Sequence, residues 1–574
     1  MVTLTIDGQS VTVKDGTTLL DAASAAGIRV PTLCFHPDQK VKANCRICVV
    51  EVEGMKTLAP ACSTPVREGM EVRTISQKVR MARKNILELI FAHHSKDCLQ
   101  CDKNGTCELQ AIAEEMHFDY AVRYPVEIKG DGKKDLSSPS VTRDVSKCID
   151  CNRCFSVCND VQTVCALSRS KRGYQTLVGP AFGKELAETV CIGCGQCVQA
   201  CPVGALTVHD DRDEVWSMLD SGKEVVVQIA PAVRVTLAEA LGEDPGVIST
   251  GRVITALRRL GFDKVFDTDF SADLTIMEEG TEFLNRLKNG GALPMITSCS
   301  PGWIKFCETF YPECLPHLST CKSPQGMFGA VIKTYYAEYA AKDPEDIYSV
   351  SVMPYTAKKF EAKRPEMGRD GYRDIDAVLT VQELAKMIRY AGIDFGALRE
   401  GTFDEPFGTG SGAGEIFGST GGVMEAALRT VYEVVTGKTL ENLDFTVVRG
   451  FDGVKEAAFD LGGKKVRVAV AHGLGNARKV MDAVRAGEAA YDFIEIMACP
   501  GGCIGGGGNP IRNWKKLSRR MEAVYRLDKA LPIRKSHENP AVQRIYRDYL
   551  TEPNSERCHE LLHTSYVDRS DIVK

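Results

Sequence analysis

Residues 191–202 read CIGCGQCVQACP, and residues 148–158 read CIDCNRCFSVC. Both runs have the spacing C-x2-C-x2-C-x3-C, and the second ends in Pro202. In such paired runs three cysteines hold one 4Fe–4S cluster and the fourth reaches across to the other. One cluster is therefore expected on Cys148, Cys151, Cys154 and Cys201, and a second on Cys158, Cys191, Cys194 and Cys197. The interchange requires the two runs to fold against each other. Cys165 is left over as an unligated thiol.

Upstream of these runs, VTLTIDGQSVTV (2–13) predicts two alternating strands about an Asp-Gly turn, and TTLLDAASAAGI (17–28) a helix. Cys34, Cys45, Cys48 and Cys62 follow. Their spacing is similar to the four-cysteine loop of plant-type ferredoxins, with a longer first gap. Four thiolates after a hairpin and helix suit a 2Fe–2S cluster on a β-grasp fold; zinc is the alternative. Next comes VRMARKNILELIFAHHSKDCLQCDKNGTC (79–107), whose Met81, Ile86, Ile90 and Phe91 have helical spacing. His94 and Cys98 are four apart and would share a helix face; Cys101 and Cys107 complete the set. Three Cys and one His suit zinc or a 4Fe–4S cluster. The flanking motifs favour the cluster, and His93 competes for the ligand role.

The bulk composition agrees with this reading. The chain has 574 residues and 23 cysteines, sixteen of them before residue 202. Close C-x2-C spacings favour metal binding over disulfides. A net charge of −5 is small for this length and gives no reason to expect nucleic acid. No apolar stretch is long enough to span a membrane and no signal peptide is expected, so the location expected is cytoplasmic. Four redox centres in series form an electron conduit, and such a conduit implies a site that consumes or supplies electrons.

Beyond residue 210 the pattern changes. EVVVQIAP, PMITSC, IYSVSVMPY, VRVAVAHG and DFIEIMAC are short β-rich runs with helical stretches between them. This predicts α/β architecture with mainly parallel sheets. Ligands of such sheets sit beyond the carboxyl ends of strands. Three loops fall there: TSCSPGW (297–303), MPYTAKKF (353–360) and MACPGGCIGGGG (497–508). GLGNAR has Arg478 where a dinucleotide fingerprint needs its third glycine. GGGGNP lacks the Lys-Ser/Thr of a phosphate loop and is expected to let backbone approach a bulky ligand. Cys307, Cys314 and Cys558 are expected to be buried small residues.

Together with TSCSPGW, MPYTAKKFE, GSTGGVMEAALR and MACPGGCIGGGGNP, the cluster series resembles the FeFe-hydrogenases, over essentially the whole chain. More narrowly, it looks like the clostridial type with four accessory clusters, or the equivalent subunit of NAD(P)-linked multisubunit enzymes. The resemblance implies a multidomain α+β and α/β chain. Residues 1–78 would be a 2Fe–2S β-grasp ferredoxin domain, and 79–125 a 4Fe–4S domain with one His and three Cys ligands. Residues 126–209 would be a two-cluster ferredoxin domain and 210–574 the H-cluster domain. It also implies an H-cluster: a 4Fe–4S cubane bridged by a cysteine sulfur to a diiron subsite with CO, cyanide and azadithiolate. By the same likeness Cys499 and Cys503 are cubane ligands, and Cys503 is the bridge. Lys358 would bond a cyanide, Met353 and Met497 would pack the diiron, and Ser323 and Gln325 would line its pocket. Cys299, Glu279, Ser319, Glu282 and Arg286 would form the proton path. Glu279 and Glu282, three apart on a helix-like stretch, are neighbours on one face.

Two positions depart from the family pattern. Ser300 and Tyr355 stand where the family has the other two cubane cysteines. Cys307, Cys314 and Cys321 are nearby in sequence as replacements. The function implied is reversible reduction of protons to dihydrogen, with electrons passed through the four accessory clusters. The alternative is a catalytically impaired form, or a redox sensor or electron carrier on the same scaffold. Expected partners are ferredoxin or NAD(P)-reducing subunits, and the proteins that mature the H-cluster. An NADH-dehydrogenase subunit is disfavoured by the C-terminal two-thirds.

Overall fold

Alternating apolar residues pair Val2–Ile6 (β1) with Gln9–Val13 (β2) in an antiparallel hairpin. Its turn is Asp7-Gly8, both at positive φ, as the tight hairpin turn demands. Leu19–Ala25 (α1) starts where Thr18 Oγ1 accepts from the Asp21 N–H at 3.2 Å. Val49–Val52 (β3), Ala59–Pro60 (β4) and Glu71–Arg73 (β5) complete a five-stranded sheet in the order β2-β1-β5-β3-β4. The computed structural model describes residues 1–573 except 121, 122, 124, 125, 127, 131 and 132. Residue 125, the expected end of the second unit, lies outside the described residues.

Gln77–His93 (α2) is the helix expected before the second cysteine group, but its core face differs from expectation. Val79, Leu87 and Phe91 are buried, whereas Met81 is 60% exposed. The helix also stops at His93, before either member of the expected pair. His94 is its C-cap, with ψ 131°, and Cys98 opens a separate 3-10 turn, so the two do not share a helix face.

Two four-stranded sheets carry the C-terminal part. Glu224–Ile229 (β6), Lys264–Asp267 (β7), Ile347–Met353 (β9) and Ala377–Thr380 (β10) form one, in the order β7-β6-β9-β10 with every pair parallel. In the other, Met295–Ile296 (β8), Val454–Leu461 (β11), Lys464–His472 (β12) and Phe493–Met497 (β13) run in the order β8-β13-β12-β11. Here only the β11–β12 pair is antiparallel. β6, β9 and β13 are buried on both faces, which explains their continuous Val and Ile runs, whereas β11 has one more exposed face. Thr268–Asn289 (α3) follows β7, and Pro301–Phe310 (α4) follows the loop after β8. Among the described residues no helix is long and apolar enough to cross a membrane.

Candidate functional site

The first cysteine group converges. The Cys48 and Cys62 sulfurs are 3.4 Å apart, and the backbone N–H groups of Asn44 and Cys45 donate to Cys34 Sγ at 3.3 and 3.4 Å. Cys34 and Cys45 are themselves hydrogen-bonded, and the charge of Cys34 acts on Cys48 and Cys62. In the second group Cys98, Cys101 and Cys107 act on one another. The His94 ring meets Phe91 edge-on at 5.9 Å, and Lys147 and Asp144 lie near it. Its Nδ1 is buried without a hydrogen-bond partner, which suits a ligand nitrogen.

The paired runs meet as the interchange requires. Cys148, Cys151, Cys154 and Cys201 line one small cavity, walled by Ile149, Val178, Val203 and Leu206. Cys197 is pushed well above its ordinary value by burial, then by Cys194, Cys191 and Cys158. Such crowding of neutral thiols is relieved when a metal binds the sulfurs and their protons are released to solvent. Cys165 is exposed, while Cys307, Cys314 and Cys558 are buried.

The second run also docks on the C-terminal sheets, through glycines. A Cβ on Gly507 would lie 2.6 Å from Gly195 Cα, and one on Gly506 would lie 2.3 Å from the Pro354 carbonyl. The GGGG stretch therefore serves close backbone packing against the Cys194 loop and the MPY loop, in place of the ligand approach expected from sequence. Gln196 and Gln199 side-chain amides donate to the Gly505 and Gly506 carbonyls at 3.0 and 3.2 Å, and Thr356 Oγ1 donates to the Gly193 carbonyl at 2.7 Å. GLGNAR likewise serves packing: Gly473 caps the helix Leu474–Arg485, and Arg478 in its first turns donates to the Thr163 carbonyl at 3.0 Å.

At the carboxyl ends of β6, β8, β9 and β13 the three loops converge on one cavity. Cys299, Gln325, Met353, Tyr355, Lys358, Met497 and Cys503 all line it. Lys358 Nζ donates to Ser323 Oγ at 2.7 Å, to Glu361 at 2.9 Å and to the Cys299 carbonyl at 3.2 Å. Gln325 is held by Ser351, whose Oγ donates at 2.8 Å, and by its own donation to Glu361 at 3.0 Å. Glu361 was not singled out from sequence, yet it anchors Lys358, Ser323 and Gln325 together. Its spacing of three from Lys358 was the one available signal.

Of the residues expected on the proton path, Glu279 neighbours both Cys299 and Glu282. Burial, then Glu279, push the Cys299 thiol well above its ordinary value. Glu279 is 2% exposed and both its carboxylate oxygens lack a hydrogen-bond partner. Burial, then the neighbouring Glu282, push its carboxyl up to about 8. Ser319 Oγ donates to Glu282 at 2.8 Å, and Arg286 donates to Glu282 at 2.6 Å from the half-buried edge of α3.

The cubane position is where this chain differs. Tyr355 is 3% exposed, and its hydroxyl is buried without a hydrogen-bond partner. Burial, then Cys499, Cys194 and Cys503, push its phenol well above the ordinary value. The ring thus occupies the space shared by both remaining thiols and by the Cys194 loop. A Cβ on Gly302 would lie 1.7 Å from the Tyr355 hydroxyl oxygen, so only glycine leaves room for it. Ser300 Oγ accepts from the Ala498 N–H at 3.3 Å. No nearby cysteine replaces the lost pair: Cys321 faces Glu282 at 3.8 Å, and Cys307 faces the Tyr311 carbonyl at 3.6 Å. The diiron pocket residues therefore fit an H-cluster, and the cubane ligand set does not.

Comparison with known proteins bears on all of this. The family model for the C-terminal domain of the iron-only hydrogenase large subunit matches residues 223–507, and the iron hydrogenase small-subunit model matches 515–569. A 2Fe–2S cluster-binding domain matches 1–77, the iron–sulfur binding region of NADH-ubiquinone oxidoreductase-G matches 83–121, and a 4Fe–4S binding domain matches 186–207. The NADP-reducing hydrogenase subunit HndD of Solidesulfovibrio fructosivorans is 50% identical, with all of both chains covered. Iron hydrogenase 1 of Clostridium pasteurianum is 41% identical over 99% of this chain and 100% of its own. A solved variant of the FeFe-hydrogenase HydA1 of Chlamydomonas reinhardtii is 45% identical, with a TM-score of 0.57 over 62% of this chain and 98% of that one. The chain therefore belongs to the iron-only, or FeFe-, hydrogenase family of oxidoreductases, as a large subunit that carries iron–sulfur domains.

Proposed function

We propose that this chain is built for reversible reduction of protons to dihydrogen, and that Ser300 and Tyr355 have cut its hold on the catalytic cubane. In this reading residues 1–78, 79–125 and 126–209 carry one 2Fe–2S and three 4Fe–4S clusters, and 210–574 is the hydrogenase domain. His94 with Cys98, Cys101 and Cys107 would hold the second centre. The partner would be an NAD(P)-reducing subunit, in keeping with the name of the HndD relative, and the setting cytoplasmic. Ferredoxin is the alternative partner. Maturation proteins would supply the diiron subsite.

A bound H-cluster would supply the redox change at hydrogen. This chain's own residues supply the rest. Glu282, its carboxylate held by Arg286 and Ser319, takes a proton from the surface side, and Glu279 passes the proton inward to the Cys299 thiol. A carboxyl held near 8 is suited to taking and giving a proton close to neutral pH. Lys358, fixed by Glu361, offers a buried cation to an anionic ligand. The glycine contact between Gly195 and Gly507 brings the Cys194 loop against the Cys503 loop, which is where electrons would enter.

One observation carries the reading of impairment: the unbonded Tyr355 phenol lies among Cys499, Cys503 and Cys194. It also favours the second reading, an electron carrier or sensor, because a filled site needs no cubane to remain packed. Anaerobic iron quantitation together with hydrogen evolution tests the proposal. The unmodified chain should hold its accessory iron and evolve little or no hydrogen after diiron loading. Robust evolution would refute it.

A further inference from the structure

Beside the proton path lies a second cluster, which shares Glu282 with that path and adds two residues that the proposed function does not use. Cys321, His563 and Glu282 each offer a ligand atom, and these atoms all lie within 4.8 Å of one another. Separate elements fix them. Glu282 projects from α3, while Cys321 and His563 sit opposite each other in an antiparallel backbone bridge. Flanking backbone bonds clamp that bridge: Lys322 N–H donates to Leu562, and Thr564 N–H donates to Thr320, both at 2.7 Å.

We infer that Glu282, Cys321 and His563 form a site for a thiophilic divalent cation of the zinc type. The donor set is one thiol, one imidazole and one carboxylate, which selects zinc over calcium or magnesium. The Cys321 Sγ to Glu282 Oε2 separation of 3.8 Å is close to one edge of a zinc tetrahedron. Each ring nitrogen now has a polar partner, Thr320 Oγ1 2.7 Å from Nδ1 and Glu278 3.1 Å from Nε2, so the nitrogen that takes the metal would give up its partner while the other keeps one and orients the ring. Such outer partners are what metal-binding histidines require. Charge also favours a cation. Glu278, Glu279 and Glu282 all act on Cys321, and among the described residues Arg286 is the one Lys or Arg that forms an ion pair with any of them. Glu278 is otherwise satisfied by neutral donors, the Tyr546 hydroxyl at 2.5 Å and the Asn554 N–H at 2.9 Å. Binding would release the Cys321 thiol proton to solvent as the sulfur–metal bond forms. Because Glu282 is also a station on the proposed proton path, occupancy would close that path; this consequence rests on the proposed function, and the binding site does not.

Zinc-edge X-ray absorption on the cluster-loaded chain, freed of stray zinc and given one equivalent, reads the site directly. One sulfur near about 2.3 Å with nitrogen and oxygen near about 2.0–2.2 Å is expected. Cys321→Ala should remove the sulfur shell, and His563→Gln should weaken zinc binding about tenfold or more, with iron content and melting temperature checked alongside. An all-sulfur shell would place zinc in the cluster sites and overturn the inference, as would a spectrum unchanged by Cys321→Ala. If that variant fails to fold, unchanged zinc affinity in His563→Gln overturns it instead. In the Ser300→Cys, Tyr355→Cys background, zinc should lower hydrogen turnover at least about tenfold, reversibly with chelator. Zinc bound in the expected shell with turnover unaffected would sink the place of Glu282 on the proton path and leave the site standing.

Discussion

Replacing Ser300 and Tyr355 together by cysteine should restore the cubane, and the structure sets how the chain responds with and without iron. Tyr355 is a buried aromatic packed beside Cys499 and Ala498. Cutting a buried aromatic down to a small residue costs about 3–5 kcal/mol. Its hydroxyl has no hydrogen-bond partner, so the native chain already carries an unmet polar group worth about 1–3 kcal/mol, and removing it offsets part of that cost. The cluster-free double variant should therefore be less stable than the parent by about 1–3 kcal/mol. The order should reverse on iron loading, because a cluster that binds only the folded chain adds its binding free energy to stability. Iron analysis should rise from about 14 per chain to about 18. Urea unfolding of apo and reconstituted protein, run beside iron analysis and a cubane spectroscopic signal, gives all three readings. Either single change should gain less than the pair. An unmodified chain that already holds about 18 irons, or a double variant that gains none, would refute the reasoning.

The accessory set should account for about 14 irons in the unmodified chain, and Cys201→Ala should lose about 4 from the Cys148 cluster while sparing the others; colorimetric iron with EPR checks this. In the restored background, Glu282→Gln should lower hydrogen turnover by about 10²–10⁴-fold with cluster spectra unchanged, and activity within a factor of about two would move the path elsewhere. Glu279 should make stability pH-dependent. Its carboxyl is raised from 4.5 to about 8, so the folded state holds a proton that the unfolded chain has given up. That stabilisation is complete below about pH 4.5 and is lost as pH climbs to about 8, with about 2 kcal/mol lost between about pH 6 and pH 8. Glu279→Gln should flatten this slope in denaturant titrations, and a parallel slope in both proteins would contradict the burial argument.

Spacing alone determined much of this protein. Thiolates separated by two residues can reach one metal wherever the chain goes, so the cluster sets of Cys148 and Cys158 were legible, and the structure brings each set together. The apolar runs of β6, β9 and β13 were legible as well, since a strand buried on both faces has no polar side to write. The departure at Ser300 and Tyr355 was visible at two letters. What those letters do was decided only in three dimensions. Whether a tyrosine fills or merely borders a site depends on where its ring ends, and here Gly302, Cys499 and Cys194 set that limit from distant parts of the chain. The glycine run gave a similar lesson. Four glycines allow any close approach, and only the docked position of Gly195 and Pro354 made it an interface between backbones. His94 and Cys98 looked like helix neighbours, but the helix ends at His93 and the chain turns extended at His94, a boundary that residue spacing does not specify. The Glu282, Cys321 and His563 cluster had no signature at all, because its members lie 39 and 242 residues apart along the chain and meet only through the backbone bridge at Cys321.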